Sequence, residues 1–298
     1  MFKQIVVGVD EREGGRAAIS LAEHLRAPGG EVTLAHVYAG DPDVYRGTDP
    51  AYEASEREGA RRLLEQAREE AGVEAHVRWR GSPSAGQGLH ELCEVIAADL
   101  LVVGSSRRGL IGRVLIGDDT RSALNGAPCA IAIAPAGYSP EPDAIREIGV
   151  GYDDSPESEH AVAVARALAE QCGAKLSAFE AVSLPAYAFL GGPAPMDGAL
   201  NDLVDDARNR IAALGGMEPH AAYGVAAEEL AVYSASLDLL IVGSRGYGPV
   251  GRLIHGSTSQ QLAGSARCPL LVLPRSSPTT ETHEPAEDGR DATMAPKV

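Results

Sequence analysis

Ile5-Val6-Val7-Gly8-Val9-Asp10 returns as Ile148-Gly149-Val150-Gly151-Tyr152-Asp153, an apolar strand closed by an aspartate. At the same offset of 143 residues, the apolar face of the next segment repeats. Ala18, Leu21, Ala22 and Leu25 correspond to Ala161, Val164, Ala165 and Leu168. The spacing i, i+3, i+4, i+7 is one helical stripe, so both copies bury the same face. Further along, Leu100-Leu101-Val102-Val103-Gly104-Ser105 matches Leu239-Leu240-Ile241-Val242-Gly243-Ser244, now at an offset of 139. Cys129-Ala130-Ile131-Ala132-Ile133-Ala134-Pro135 pairs with Cys268-Pro269-Leu270-Leu271-Val272-Leu273-Pro274. The chain is therefore two diverged copies of one unit.

Within each copy, apolar strands alternate with helical patterns. The expected strands are 4–9, 32–38, 73–79, 100–104 and 130–134, then 147–152, 175–181, 219–223, 239–243 and 269–273. The expected helices are 14–26, 53–71, 84–97 and 119–126, then 157–171, 199–214, 226–236 and 257–265. This alternation predicts an α/β class of two tandem, doubly wound, five-stranded parallel-sheet domains, with right-handed crossovers. The boundaries read as 1–137, a linker at 138–145 around Pro140 and Pro142, 146–275, and a tail at 276–298. The tail is rich in Pro, Thr, Glu and Ala without apolar periodicity, and reads as disordered.

Composition sets limits on function. Of 298 residues, 44% are hydrophobic but only 4% aromatic, so Ala, Val, Leu and Ile must build the cores. The net charge of −16 is spread along the chain with no basic block, which disfavours nucleic acid and anionic membranes as partners. There is no apolar run of spanning length and no signal-peptide pattern at the start, which leads to the expectation of a cytoplasmic protein. Cys93, Cys129, Cys172 and Cys268 lack CxxC spacing and read as buried structural thiols.

In open α/β sheets, ligands sit beyond the carboxyl ends of strands. In the second copy the fourth strand runs into Gly243-Ser244-Arg245-Gly246 and, after nine intervening residues, into Gly256-Ser257-Thr258, the spacing G-x2-G-x9-G-[ST]. With Asp153 closing strand one, this segment resembles the nucleotide-binding branch of the universal stress protein family in its tandem two-domain form. The resemblance spans roughly residues 1–275. It implies a Rossmann-like fold of the adenine nucleotide alpha hydrolase type. It also implies that Gly243, Gly246, Gly256 and Ser257 hold the phosphates and ribose of ATP, and that Asp153 contacts the nucleoside. Ala181, with Gly151 and Tyr152, would line the adenine slot.

Physical chemistry supports the same residues. Gly243 and Gly246 let backbone approach an anion with no Cβ in the way. Ser257 and Thr258 open the last helix, where free N–H groups attract phosphate; their hydroxyls also suit plain N-capping. His255, next to Gly256, reads as a turn residue or a phosphate contact. Asp153-Asp154 could bridge Mg²⁺ arriving with the nucleotide, although adjacent acids before a helix more often cap it. Gly246-Tyr247-Gly248-Pro249-Val250-Gly251 fits G-x-G-x-x-G, but it follows the fourth strand and no acid lies downstream before Glu281, so a dinucleotide site is rejected. His90-Glu91-Leu92-Cys93-Glu94 ends in Glu where a zinc helix needs His.

The first copy departs from the pattern. It places Arg107 at the position of Gly246 and Asp118-Asp119 at that of Ser257-Thr258, which sets carboxylates where phosphate would go. Arg107 and Arg108 could offset part of that charge, or pair with Asp118 and Asp119 and fill the site; Asp10 is retained, so an adenine slot could persist without a phosphate slot.

The sequence favours ATP binding in stress response or signalling. The alternatives are a slow ATP hydrolase or a phosphoryl- or adenylyl-transfer enzyme in the same pocket, and a scaffold with a structural nucleotide. The apolar fifth strands, Ala130 to Ala134 and Leu270 to Leu273, are edges that invite pairing. The resemblance implies that they pair, and a tandem chain can do so within itself. A homodimer of whole chains is compatible with that unit; a signalling partner is not specified by the sequence.

Overall fold

The structure, a computed structural model, describes residues 2–10, 14–40, 50–105, 118–139, 145–183, 197–244 and 257–274. The first half runs β1 (Phe2–Gly8), α1 (Gly14–Leu25), β2 (Arg26–Ala39), α2 (Pro50–Ala71), β3 (His76–Ser82), α3 (Ala85–Ile96), β4 (Leu100–Gly104), α4 (Asp118–Leu124) and β5 (Ala130–Ala134). The second half repeats it as β6 (Glu147–Gly151), α5 (Pro156–Cys172), β7 (Lys175–Val182), α6 (Asp197–Leu214), β8 (Glu218–Tyr223), α7 (Ala226–Tyr233), β9 (Leu239–Gly243), α8 (Ser257–Leu262) and β10 (Leu270–Leu273).

All strands within a half are parallel, and the halves share one ten-stranded sheet of order β3-β2-β1-β4-β5-β10-β9-β6-β7-β8. The join is the antiparallel pair β5–β10, in the register Leu270 with Ile133, Leu271 with Ala132 and Val272 with Ile131. The expected pairing of the fifth strands is thus made inside the chain. Strand alternation sorts their side chains. Ala130, Ala132 and Ala134 face one side with Leu271 and Leu273, and Ile131 and Ile133 face the other with Leu270 and Val272.

The predicted stripes on α1 and α5 pack on that first side. Ala18, Leu21, Ala22, Leu25, Ala161, Ala165 and Leu168 are fully buried, while Val164 is half-buried. Gln171 near the end of α5 donates to the Arg26 carbonyl at 3.1 Å, tying the second half to the first. The opposite side is covered from α3, α4, α7 and α8. No helix among the described residues is long and apolar enough to cross a membrane.

Several boundaries differ from expectation for local reasons. Strand β3 starts at His76 rather than 73, because Gly72 at φ +64 and Val73 close α2 by donating to the Glu69 and Arg68 carbonyls at 3.2 and 3.4 Å. Helix α7 stops at Tyr233 and tightens into a 3₁₀ turn, Ser234–Ser236. There the Ser234 hydroxyl donates to the Ala231 carbonyl at 2.8 Å and accepts the Arg267 N–H at 2.9 Å. Strand β2 extends back to Arg26, with a register irregularity against β1. Cys93, Cys129 and Cys268 are buried as expected, but Cys172 is exposed, because α5 ends on it beside the left-handed cap Gly173. The tail and most of the linker lie outside the described residues.

Candidate functional site

At the carboxyl end of β6 the chain makes a tight, fully bonded turn into α5. The Tyr152 N–H donates to the Phe179 carbonyl at 3.0 Å, prolonging the β6–β7 ladder by one residue. The Tyr152 side chain is 5% exposed and its hydroxyl donates to Asp154 Oδ1 at 3.0 Å. Burial, then this hydrogen bond, pushes its phenol up to about 12. Asp154 takes a left-handed backbone at φ 59, which reverses the chain. Asp153 Oδ1 accepts the Ser155 N–H at 3.2 Å and also the Ser155 hydroxyl. Ser155 and Ser158 form a reciprocal capping box, with bonds of 3.2 and 3.1 Å, and Pro156 follows at the first helical position. The two neighbouring acids are thereby separated in role. Asp154 accepts from Tyr152, while Asp153 lines the cleft.

That cleft is bounded by β6, β7 and β9 and by the start of α5. Gly151, Tyr152, Asp153, Ala181, Gly243 and Thr258 all line it, together with Phe179, Leu230 and Val242. The cleft encloses about 220 Å³ and opens to solvent at one side. Ser257 is the first residue of α8, which is only six residues long; Gly246, Gly256 and His255 lie outside the described residues.

Packing gives Gly243 a further reason to be glycine: a Cβ there would come 2.7 Å from the Glu157 carbonyl oxygen, where helix α5 approaches the end of β9. Gly151 is limited in the same way, with Val242 Cγ1 3.1 Å from where its Cβ would be.

Sequence reasoning missed Phe179, Leu230 and Val242. Phe179 sits two positions before Ala181 on one strand face, a period that marks it as a co-liner. It stacks on Tyr233, with ring centroids 5.0 Å apart. Tyr233 in turn meets the Ser177 hydroxyl at 2.5 Å.

A matching cleft lies in the first half, at the ends of β1, β2 and β4, lined by Asp10, Val37, Leu89, Val103 and Gly104 among others. Here α1 opens with Gly14-Gly15 in place of Glu157-Ser158. A Cβ on Gly104 would come 2.2 Å from the Gly14 carbonyl oxygen, a still closer contact.

Elsewhere, His90 Nε2 lies 2.6 Å from the Ala123 carbonyl and Glu91 pairs with Arg80. Among the described residues no group of three or more His, Cys, Asp or Glu side chains could hold a metal ion. Cys93 and Cys129 meet in the core, and this hydrogen bond, with burial, holds the Cys93 thiol far above its ordinary range.

The universal stress protein family pattern matches residues 1–135 and again 144–274. A universal stress protein of Mycobacterium tuberculosis is 28% identical over 286 residues, covering 90% of this chain and 96% of that protein. One from Thermus aquaticus is 35% identical over 136 residues, covering 43% of this chain and 98% of its own length. The crystal structure of a universal stress protein from Archaeoglobus fulgidus has a TM-score of 0.66 at 19% identity, covering 92% of this chain and 98% of that one. This chain belongs to the universal stress protein family, in a tandem two-domain form.

Proposed function

We propose that the second half binds ATP in the cleft between β6, β7 and β9, and that the chain acts in a cytoplasmic stress response by presenting its bound state to a partner. The observation that carries this reading is the convergence of six residues from four separate segments, Gly151, Tyr152 and Asp153 after β6, Ala181 of β7, Gly243 of β9 and Thr258 of α8, on one cleft. Its chemistry suits a nucleoside. Ala181, Leu230 and Val242 offer a narrow apolar wall for a purine. Asp153 keeps acceptor capacity for ribose hydroxyls, since a carboxylate has about four lone-pair sites. Thr258 brings a hydroxyl at the start of α8. Gly246, Gly256 and Ser257 would complete the phosphate end, as the family resemblance implies. A divalent cation would arrive on the triphosphate.

The test is mass spectrometry of small molecules that copurify with the full chain, followed by calorimetry with ATP. Absence of ATP binding in both would overturn the reading. Phosphate release, followed over hours, separates a holder of ATP from a slow hydrolase.

A further inference from the structure

In the first half, α3 lies hard against α4. A Cβ on Gly86 would strike the Ser122 side chain, and His90 Nε2 reaches the Ala123 carbonyl at 2.6 Å. The alignment that sets Leu89 against Leu230 puts Ala227 and Ala231 of α7 at the positions of Gly86 and His90. One methyl group stands where the first half has a bare glycine, and another where it has an imidazole. The first keeps α7 from closing on α8 as α3 closes on α4, and the second leaves unfilled the space that His90 takes. A groove of about 630 Å³, open to solvent, results between α7 and the stretch 260–267, and Arg121 of α4 lines it from across the seam.

The lining has a definite chemistry. Ala227, Ala231 and Val232 make an apolar wall, on which Val232 is 61% exposed. Arg121 and Arg267 are exposed, and among the described residues neither guanidinium is held in an ion pair. Glu228 is the one acid of the lining, so the groove carries a positive balance on a chain whose net charge is −16. Two guanidiniums beside a small apolar wall suit carboxylates spaced by small apolar residues, because an arginine fork grips a carboxylate with two hydrogen bonds.

The segment 276–298 has this pattern. It carries Glu281, Glu284, Glu287, Asp288 and Asp291 against Arg290 and Lys297, and Glu284-Pro285-Ala286-Glu287 places two acids around a Pro-Ala pair. Its origin is close enough. Arg267 and Glu284 lie seven residues before and ten residues after Pro274. At ~3.4 Å per residue, Arg267 is within about 24 Å of Pro274, and Glu284 has a reach of about 34 Å. The surplus is about the width of one helix, enough to pass over α8.

We propose that this groove is a docking surface for the chain's own acidic segment 276–298. Arg267 and Arg121 take carboxylates from Glu281, Glu284 and Glu287, and Pro285-Ala286 rests on the wall of Ala227, Ala231 and Val232. The contact joins the end of the second half to α4 of the first.

The test uses the full chain. Arg267→Lys and Arg121→Lys, made singly, keep the charge and supply an amine that a carbodiimide joins to a carboxylate in contact. Peptide mass spectrometry of the monomeric product should find residue 267, and residue 121, joined to Glu281, Glu284 or Glu287. Lys3 and Lys175, which do not line the groove, should couple to the segment severalfold less. Hydrogen exchange gives an independent reading. Glu284→Gln together with Glu287→Gln should speed exchange of the amides at 227–232 and 260–267 severalfold, and leave those of β1 and β4 unchanged. The proposal is overturned by equal coupling to Lys3 and Lys175, by coupling found only between chains, by no coupling at either arginine position, or by unchanged exchange at 227–232 and 260–267.

Discussion

Leu271 of β10 stands directly opposite Ala132 of β5, at the centre of the seam that makes one sheet of two. Both are fully buried. Leu271→Ala should cost about 2–5 kcal/mol, the usual range for a buried leucine that leaves a cavity. The chain's single tryptophan, Trp79, lies in β3 of the other half. If the seam couples the halves, urea unfolding followed by Trp79 fluorescence should move to lower denaturant along with the far-ultraviolet signal. A Trp79 transition that stays in place would mean the halves unfold independently.

The two glycines that end β4 and β9 are each pressed by a helix start, and unequally. Alanine at 104 meets the Gly14 carbonyl oxygen at 2.2 Å, and alanine at 243 meets that of Glu157 at 2.7 Å. Overpacking of this kind costs about 1–3 kcal/mol. Thermal unfolding should show both variants destabilised, Gly104→Ala more than Gly243→Ala. Equal melting temperatures for the variants and the parent would refute the packing role given to these glycines.

Ser155 caps α5 and also holds Asp153. Ser155→Ala should lower stability by about 1 kcal/mol, as loss of an N-cap does. It should also weaken ATP binding, because Asp153 loses the hydroxyl that orients it. Ser84 likewise caps α3 in the first half, accepting the Gln87 N–H at 3.2 Å, and lies in the half that does not hold Asp153. Ser84→Ala should match the stability loss and leave ATP affinity unchanged. Parallel calorimetry on the two variants makes the comparison.

Alkaline pH tests the buried phenols. Tyr152 and Tyr233 are both pushed up to about 12, chiefly by burial. The folded state therefore holds these protons longer than the unfolded chain, whose phenols titrate near 10. Their contribution to stability is complete below pH 10 and is lost as pH rises through 12. Denaturant midpoints measured from pH 9 to 12 should fall, and Tyr152→Phe should make the fall shallower.

ATP should bind once per chain. At a hundredfold excess over Kd, one site stabilises the native state by about 2.7 kcal/mol. Ala181→Trp, which fills the second slot, should abolish this rise in melting temperature. Gly246→Arg, which copies the Arg107 found in the first half, should do the same. Normal ATP binding by Gly246→Arg would contradict the reading of residue 246.

The periodic elements were the most legible part of the sequence. Strands β4, β5 and β9 fall where the apolar runs place them, because short buried parallel strands have little else that could define their ends. The end of α2 was read at Ala71, where it lies, but the start of β3 was set too early, because Gly72 and Val73 are spent on closing the helix, and only the geometry reveals which hydrogen bonds they take. At the site, Asp153 and Ala181 were legible from their place after a strand or at its end. The packing of α5 against Gly243 was not. A missing Cβ signals close approach, and sequence alone cannot say whether a ligand or a helix makes it. Phe179 escaped notice because its first-half counterpart is the small Ala35, so the repeat that exposed the fold concealed this difference.

The antiparallel seam has a geometric consequence. Each cleft lies beyond the carboxyl ends of its own strands, and the strands of the two halves run in opposite directions. The two mouths therefore open on opposite rims of the sheet. The strands that border them, β4 and β9, are separated by three strand steps, roughly 14 Å at ~4.8 Å each. A flat protein surface resting on one rim is blind to the other. The two clefts are thus set back to back, on opposite edges of one continuous slab.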